Sequence, residues 1–157
     1  MKLSGIVCKD AIVARLKSKR RDDVIKELVQ ALGKSGKIPK DSVDVISKAV
    51  IKRENEASTG IGKGVAVPHM KSKVVSEPIA AVGCSSEGID FVSLDKQAVY
   101  SVILLVSPEG NPDKHLQAME TVFRNLQKDD FRRFLRQAQT SEEIQEIISD
   151  ADGSGME

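Results

Sequence analysis

The segment Val99-Tyr-Ser-Val-Ile-Leu-Leu-Val106 constrains this chain more than any other. It is nearly all apolar and rich in β residues, so a strand built from it must be covered on both faces. Helices are the natural cover, and the flanking sequence supplies them. Val24, Ile25, Leu28, Val29 and Leu32 fall on one face of a helix over Lys19–Leu32, with Gly33 and Gly36 to end it. Asp41 is placed to cap a second helix, whose stripe is Val43, Ile46, Ala49 and Val50, with Arg53 one turn on. Asn111-Pro112 opens a third, with Leu116, Met119, Val122, Phe123 and Leu126 as its apolar positions. A fourth starts at Asp129 or Asp130 and carries Phe131, Phe134, Leu135 and Ala138. Thr140-Ser-Glu-Glu143 is a capping box before Ile144, Ile147 and Ile148.

Other strands are shorter. Residues 3–16 read as weak strands or a turn. Val65 and Val67 alternate into a short strand ending at His69, and Pro78–Cys84 reads as a strand closed by a Ser85–Gly88 turn. The predicted fold class is α/β: a mixed central sheet of about five strands flanked by helices, in one domain over 1–150. Residues 151–157, polar and glycine-rich, are expected to be a disordered tail.

Composition narrows the function. At 157 residues, a chain buries roughly 70% of its unfolded surface and needs no staples. Lys and Arg number 24 against 23 Asp and Glu, a net charge of +1, which argues against a general nucleic-acid binder. Aromatic residues are only 3% with no Trp, so base-stacking platforms are not expected either. Two cysteines make no disulfide framework. The longest apolar run, Val102–Val106, is far below the ~18 residues of a membrane helix. Lys9 and Asp10 interrupt the short apolar stretch that a signal peptide would need. These features predict a cytoplasmic protein with no direct membrane insertion.

Few residues can carry chemistry. There are two histidines, His69 and His115. His69 closes the glycine-rich strand. His115 shares a helical face with Met119, Val122 and Leu126, so it is expected to face inward, where a lone histidine is more often a core residue than a catalyst. Gly60-Ile-Gly62-Lys-Gly64 is neither a Rossmann fingerprint, since a helix precedes it and a strand follows, nor a P-loop, since Lys63 is followed by Gly64. Two readings stay open for these glycines: backbone turns that need positive φ, or a flat surface that another molecule or a phosphate approaches. A zinc site from Cys8, His69, Cys84 and His115 lacks ligand spacing. A Ser hydrolase would need a G-x-S-x-G elbow, which is absent. Cys84, inside a strand, reads as inert core.

The run Arg53-Glu54 … Ser58-Thr-Gly-Ile-Gly-Lys-Gly-Val-Ala-Val-Pro-His69 closely resembles the active-site segment of enzyme IIA domains of the phosphoenolpyruvate-dependent phosphotransferase system. The resemblance is to the fructose, mannitol and nitrogen-regulatory type. It continues through Glu77-Pro78, Glu87-Gly-Ile-Asp-Phe91, Leu94-Asp95, Pro108 … His115-Leu116 and Gln137–Ile148, covering roughly residues 3–150. Two positions depart from the pattern: Lys63 where Asn is usual, and Met70 where a small residue often follows the histidine.

The resemblance implies a mannitol/fructose-type IIA fold and a protein-histidine phosphotransferase. His69 would take a phosphoryl group from the histidine phosphocarrier protein and pass it to a cysteine of an enzyme IIB, itself tied to a membrane IIC in sugar uptake. The nitrogen-regulatory alternative has phosphorylation controlling protein partners instead. His115 and Arg53 would stabilise the phosphoryl charge. Thr59, Gly60, Gly62 and Gly64 would form the docking loop. No metal, nucleotide or other cofactor is implied, because the incoming phosphoryl group is already activated.

Overall fold

The computed structural model describes residues 1–154. Six helices and six strands alternate along the chain. They are α1 (Leu3–Ile6), β1 (Val7–Val13), α2 (Arg21–Lys34), α3 (Val43–Glu56), β2 (Gly60–Gly62), β3 (Val65–Ala66) and β4 (His69–Ser72). These are followed by β5 (Ile79–Ile89), β6 (Val99–Pro108), α4 (Pro112–Leu126), α5 (Asp129–Gln137) and α6 (Ser141–Ser154).

The strands form one mixed sheet, and β6 is its hub. On one side β6 runs antiparallel to β5, which pairs in parallel with β1. Its other edge is shared by two short parallel partners, β3 at Ser101–Val102 and β4 at Leu105–Pro108. The antiparallel β2 completes the far edge beyond β3. The expected burial of β6 is seen. Val102, Leu104 and Val106 enter a core built with α2 and α3. Ile103 and Leu105 enter a second core with α1, α4, α5 and α6. The period-two alternation of a strand thus feeds two separate apolar layers.

Several local expectations are corrected. The sheet has six strands rather than about five, because the glycine segment contributes two and His69 begins β4 instead of ending a strand. β5 runs through Ser85–Gly88. There the pairing register with β6 shifts between Cys84 and Ile89, and Gly88, at φ +93°, takes up the irregularity as a bulge rather than a turn. Gly33 stays inside α2, where a Cβ would lie 2.7 Å from Val43 Cγ2, so its bareness lets α3 pack close. Asp41 lies in a single 3-10 turn, Lys40–Ser42, and gives α3 no side-chain cap. Leu116 and Phe134 are exposed, not core.

The C-terminal helix passes the point where a tail was expected. Ala151 is buried, and the Asp152 carboxylate accepts from the backbone N–H groups of Leu3 (2.7 Å) and Ser4 (2.9 Å). That bond ties the two ends of the chain together and holds the last turn. Residues 155–157 of the expected tail lie outside the described residues.

Candidate active site around two histidines

β4 begins where Val67-Pro68 ends the β3 pairing, so His69 stands at the start of a new strand beside Leu105 of β6. Proline cannot donate to a ladder, which is why the pairing breaks there. The carbonyl of Val67 lies 2.8 Å from His69 Nδ1. A carbonyl oxygen only accepts, so Nδ1 carries the hydrogen. The Nε2 lone pair is then the ring's free nucleophilic position.

His115 arrives from the other direction. Asn111 caps α4 by accepting from Lys114 N, with Pro112 at the first helical position, as the sequence predicts. Four residues in, His115 projects over the sheet, and its Nδ1 lies 2.8 Å from the fully buried Ser107 Oγ of β6. The two imidazole rings are 5.7 Å apart between centroids and inclined by 40°. Residues 46 apart in sequence thus meet because α4 folds back over the strand that β4 pairs with. Burial above all, then the neighbouring His69 and Lys71, holds the His115 pKa below the ordinary imidazole value. His115 is therefore neutral near pH 7, with one ring N–H. Ser107 Oγ can donate to Nδ1 or accept from it, and where it donates the ring N–H sits on Nε2.

The other predicted site residues come from α3 and the β2–β3 segment. Arg53 lies in the last turn of α3, and its Nη1 donates to the Ala57 carbonyl at 2.9 Å. Among the described residues it makes no hydrogen bond to either histidine. Thr59 is buried, with both donors turned inward: its N–H meets Glu54 Oε2 at 2.6 Å and its hydroxyl meets Oε1 at 2.7 Å. Both of its donors are thus engaged by Glu54. Gly62 and Gly64 meet the positive-φ reading. Gly62, Lys63 and Gly64 all have positive φ, with Lys63-Gly64 as the two-residue turn of the β2–β3 hairpin. Gly60 lies so close to Ser93 that a Cβ would sit 2.3 Å from its hydroxyl.

Two residues with structural roles escaped the sequence reading. Glu54 was visible beside Arg53, but its role as the buried anchor of Thr59 was not. Ser107 gave no signal, since a lone serine in an apolar strand has many uses. Cys84 is settled as a thiol, its pKa pushed up to about 11 by burial. The 620 Å³ cleft between α5 and α6, lined by Phe131, Phe134 and Ile147, contains neither histidine. His69 and His115 are both half-buried.

Residues 6–151 match the family described as phosphoenolpyruvate-dependent sugar phosphotransferase system, EIIA 2. The chain belongs to this family. As an enzyme IIA domain it is a phosphotransferase component. It is 34% identical over 152 residues to the fructose-specific EIIABC component of Bacillus subtilis, covering 97% of this chain and 24% of that protein, so it spans about a quarter of that relative. It is 28% identical to a nitrogen regulatory protein of Bradyrhizobium diazoefficiens, covering 95% of each. Its fold matches the nitrogen regulatory protein IIA-Ntr of Neisseria meningitidis with a TM-score of 0.81, at 23% identity, over 93% of this chain and 98% of that one. No helix among the described residues of this IIA domain is long and apolar enough to cross a membrane.

Proposed function

We propose that His69 Nε2 accepts a phosphoryl group from a histidine of the phosphocarrier protein and passes it to a cysteine of an enzyme IIB, in the cytoplasm and in the service of sugar uptake. The observation that carries this reading is the Val67 carbonyl on His69 Nδ1. It leaves the Nε2 lone pair to form the new N–P bond as the donor's N–P bond breaks. The same Nδ1–H remains on the ring afterwards, so the phosphorylated imidazole carries a positive charge. A charged ring is the better leaving group when a thiolate attacks phosphorus in the second step. His115 Nε2–H donates to a phosphoryl oxygen, and Ser107 keeps the ring aimed there. Arg53 spends one Nη1 donor on the Ala57 carbonyl and has further guanidinium donors to offer a phosphoryl oxygen. Gly60, Gly62 and Gly64 serve by shaping the hairpin beside the docking face, and Thr59 by holding that hairpin to Glu54.

The fructose-specific relative supports transfer toward a sugar, its name joining IIA with IIB and IIC. A second reading, control of protein partners by the phosphorylation state, is supported by the nitrogen regulatory relative of matching length. Long-range proton–nitrogen NMR on the phosphorylated protein tests the shared chemistry. Phosphorus on His69 Nε2 is expected, and phosphorus on Nδ1 overturns the mechanism. Addition of a partner enzyme IIB separates the readings: loss of label to its cysteine favours transport, and retention favours regulation.

A further inference from the structure

A phosphoryl dianion is stabilised by nearby cations, and Arg53 spends one of its donors on its own helix end. We propose that Lys71 is a further catalytic residue, its ammonium holding an oxygen of the phosphoryl group on His69. This rests on the reading of His69 above and adds a residue to it.

The placement follows from strand register. His69 pairs with Leu105 and Lys71 with Ser107. Met70, between them, packs into the core formed with α2 and α3, so His69 and Lys71 both project toward the α4 side. Leu105, the partner of His69, also belongs to that side. Lys71 therefore stands directly across from the serine that holds His115, one side-chain repeat along the strand from the nucleophile.

Its charge is felt there, since Lys71 is one of the groups that lower the His115 pKa. It is exposed, and among the described residues it has no ion pair, whereas Lys114, next to His115, is paired with Glu77. An unpaired ammonium near His115 disfavours a proton on that ring and gains nothing until an anion arrives. A phosphoryl dianion on Nε2 reverses that sign. Lysine suits the task, as a flexible stem can follow the group from donor to acceptor with three donors in hand.

The test compares Lys71→Met and Lys71→Arg with two phosphoryl donors: the phosphorylated carrier protein, and phosphoramidate, which has no docking surface and releases ammonia on transfer. Labelling of His69 is expected to slow about tenfold in Lys71→Met with both donors, and to recover in Lys71→Arg. By NMR the His115 midpoint should rise in Lys71→Met, which also reports an intact fold. Slowing with the carrier protein alone would make Lys71 a docking residue, and an unchanged rate with phosphoramidate overturns the proposal. Label that persists in His69→Ala would instead sink the reading of His69, and Lys71 with it.

Discussion

At the scale of single residues, three oxygen-bearing groups hold the candidate site residues in place. The Val67 carbonyl sets the His69 tautomer, the Ser107 hydroxyl aims His115, and the Glu54 carboxylate anchors Thr59. Ser107 is suited to its place because a hydroxyl both donates and accepts. It can donate to neutral His115 and accept from the imidazolium without losing the bond. That makes the charge state of His115 the sensitive quantity. Burial, His69 and Lys71 all push its pKa down, so its midpoint should lie below about 6.5 in the free protein. The unfolded chain then binds the proton more readily, and this residue's contribution lowers stability as pH falls through about 6.5. Phosphorylation adds an opposite charge and should raise the midpoint. Proton NMR of the ring before and after phosphorylation checks both signs, and a free-state midpoint above the ordinary imidazole value contradicts them.

At the scale of elements, the β2–β3 hairpin shows how one substitution is accommodated. Lys63 and Gly64 both need positive φ, at 58° and 79°. The left-handed region costs a residue such as lysine about 1–2 kcal/mol, and asparagine tolerates it better. The backbone N–H of Lys63 is held by Asp95 Oδ2 at 3.1 Å, which steadies the turn and depends on no lysine side chain. Lys63→Asn should therefore stabilise by up to about 1 kcal/mol, or about 2–4 °C in melting temperature for a domain this size. A scanning calorimetry trace shifted downward would count against this account of the turn. The same segment marks where sequence reading reached its limit. The helices α2, α3 and α4 were legible because their apolar periods are strong, and β6 because nothing polar interrupts it. The start of β4 at His69 was not, since a two-residue break at Val67-Pro68 looks like the end of a strand until β6 is there to pair with both pieces. Gly88 likewise reads as a turn glycine by composition and becomes a bulge only because β5 has a partner on its far side.

At the scale of the whole molecule, the two-layer cover over a mixed sheet explains why the two histidines meet. β6 must be buried on both faces, and α4 follows it immediately, so α4 packs back over the strand that it has just left. The long apolar strand, the capped helix and the Pro-His dipeptide were each visible in sequence. Their convergence was legible only through the family resemblance, because no spacing rule links residues 69 and 115. Ser107, which turns that convergence into an aimed imidazole, became visible only with the register of β4 on β6. The most direct test of this account incubates the protein with phosphoenolpyruvate, enzyme I and the phosphocarrier and reads the intact mass at neutral pH. One acid-labile phosphoryl group is expected on the native chain and none on His69→Ala, whereas a label that survives in His69→Ala would contradict the account.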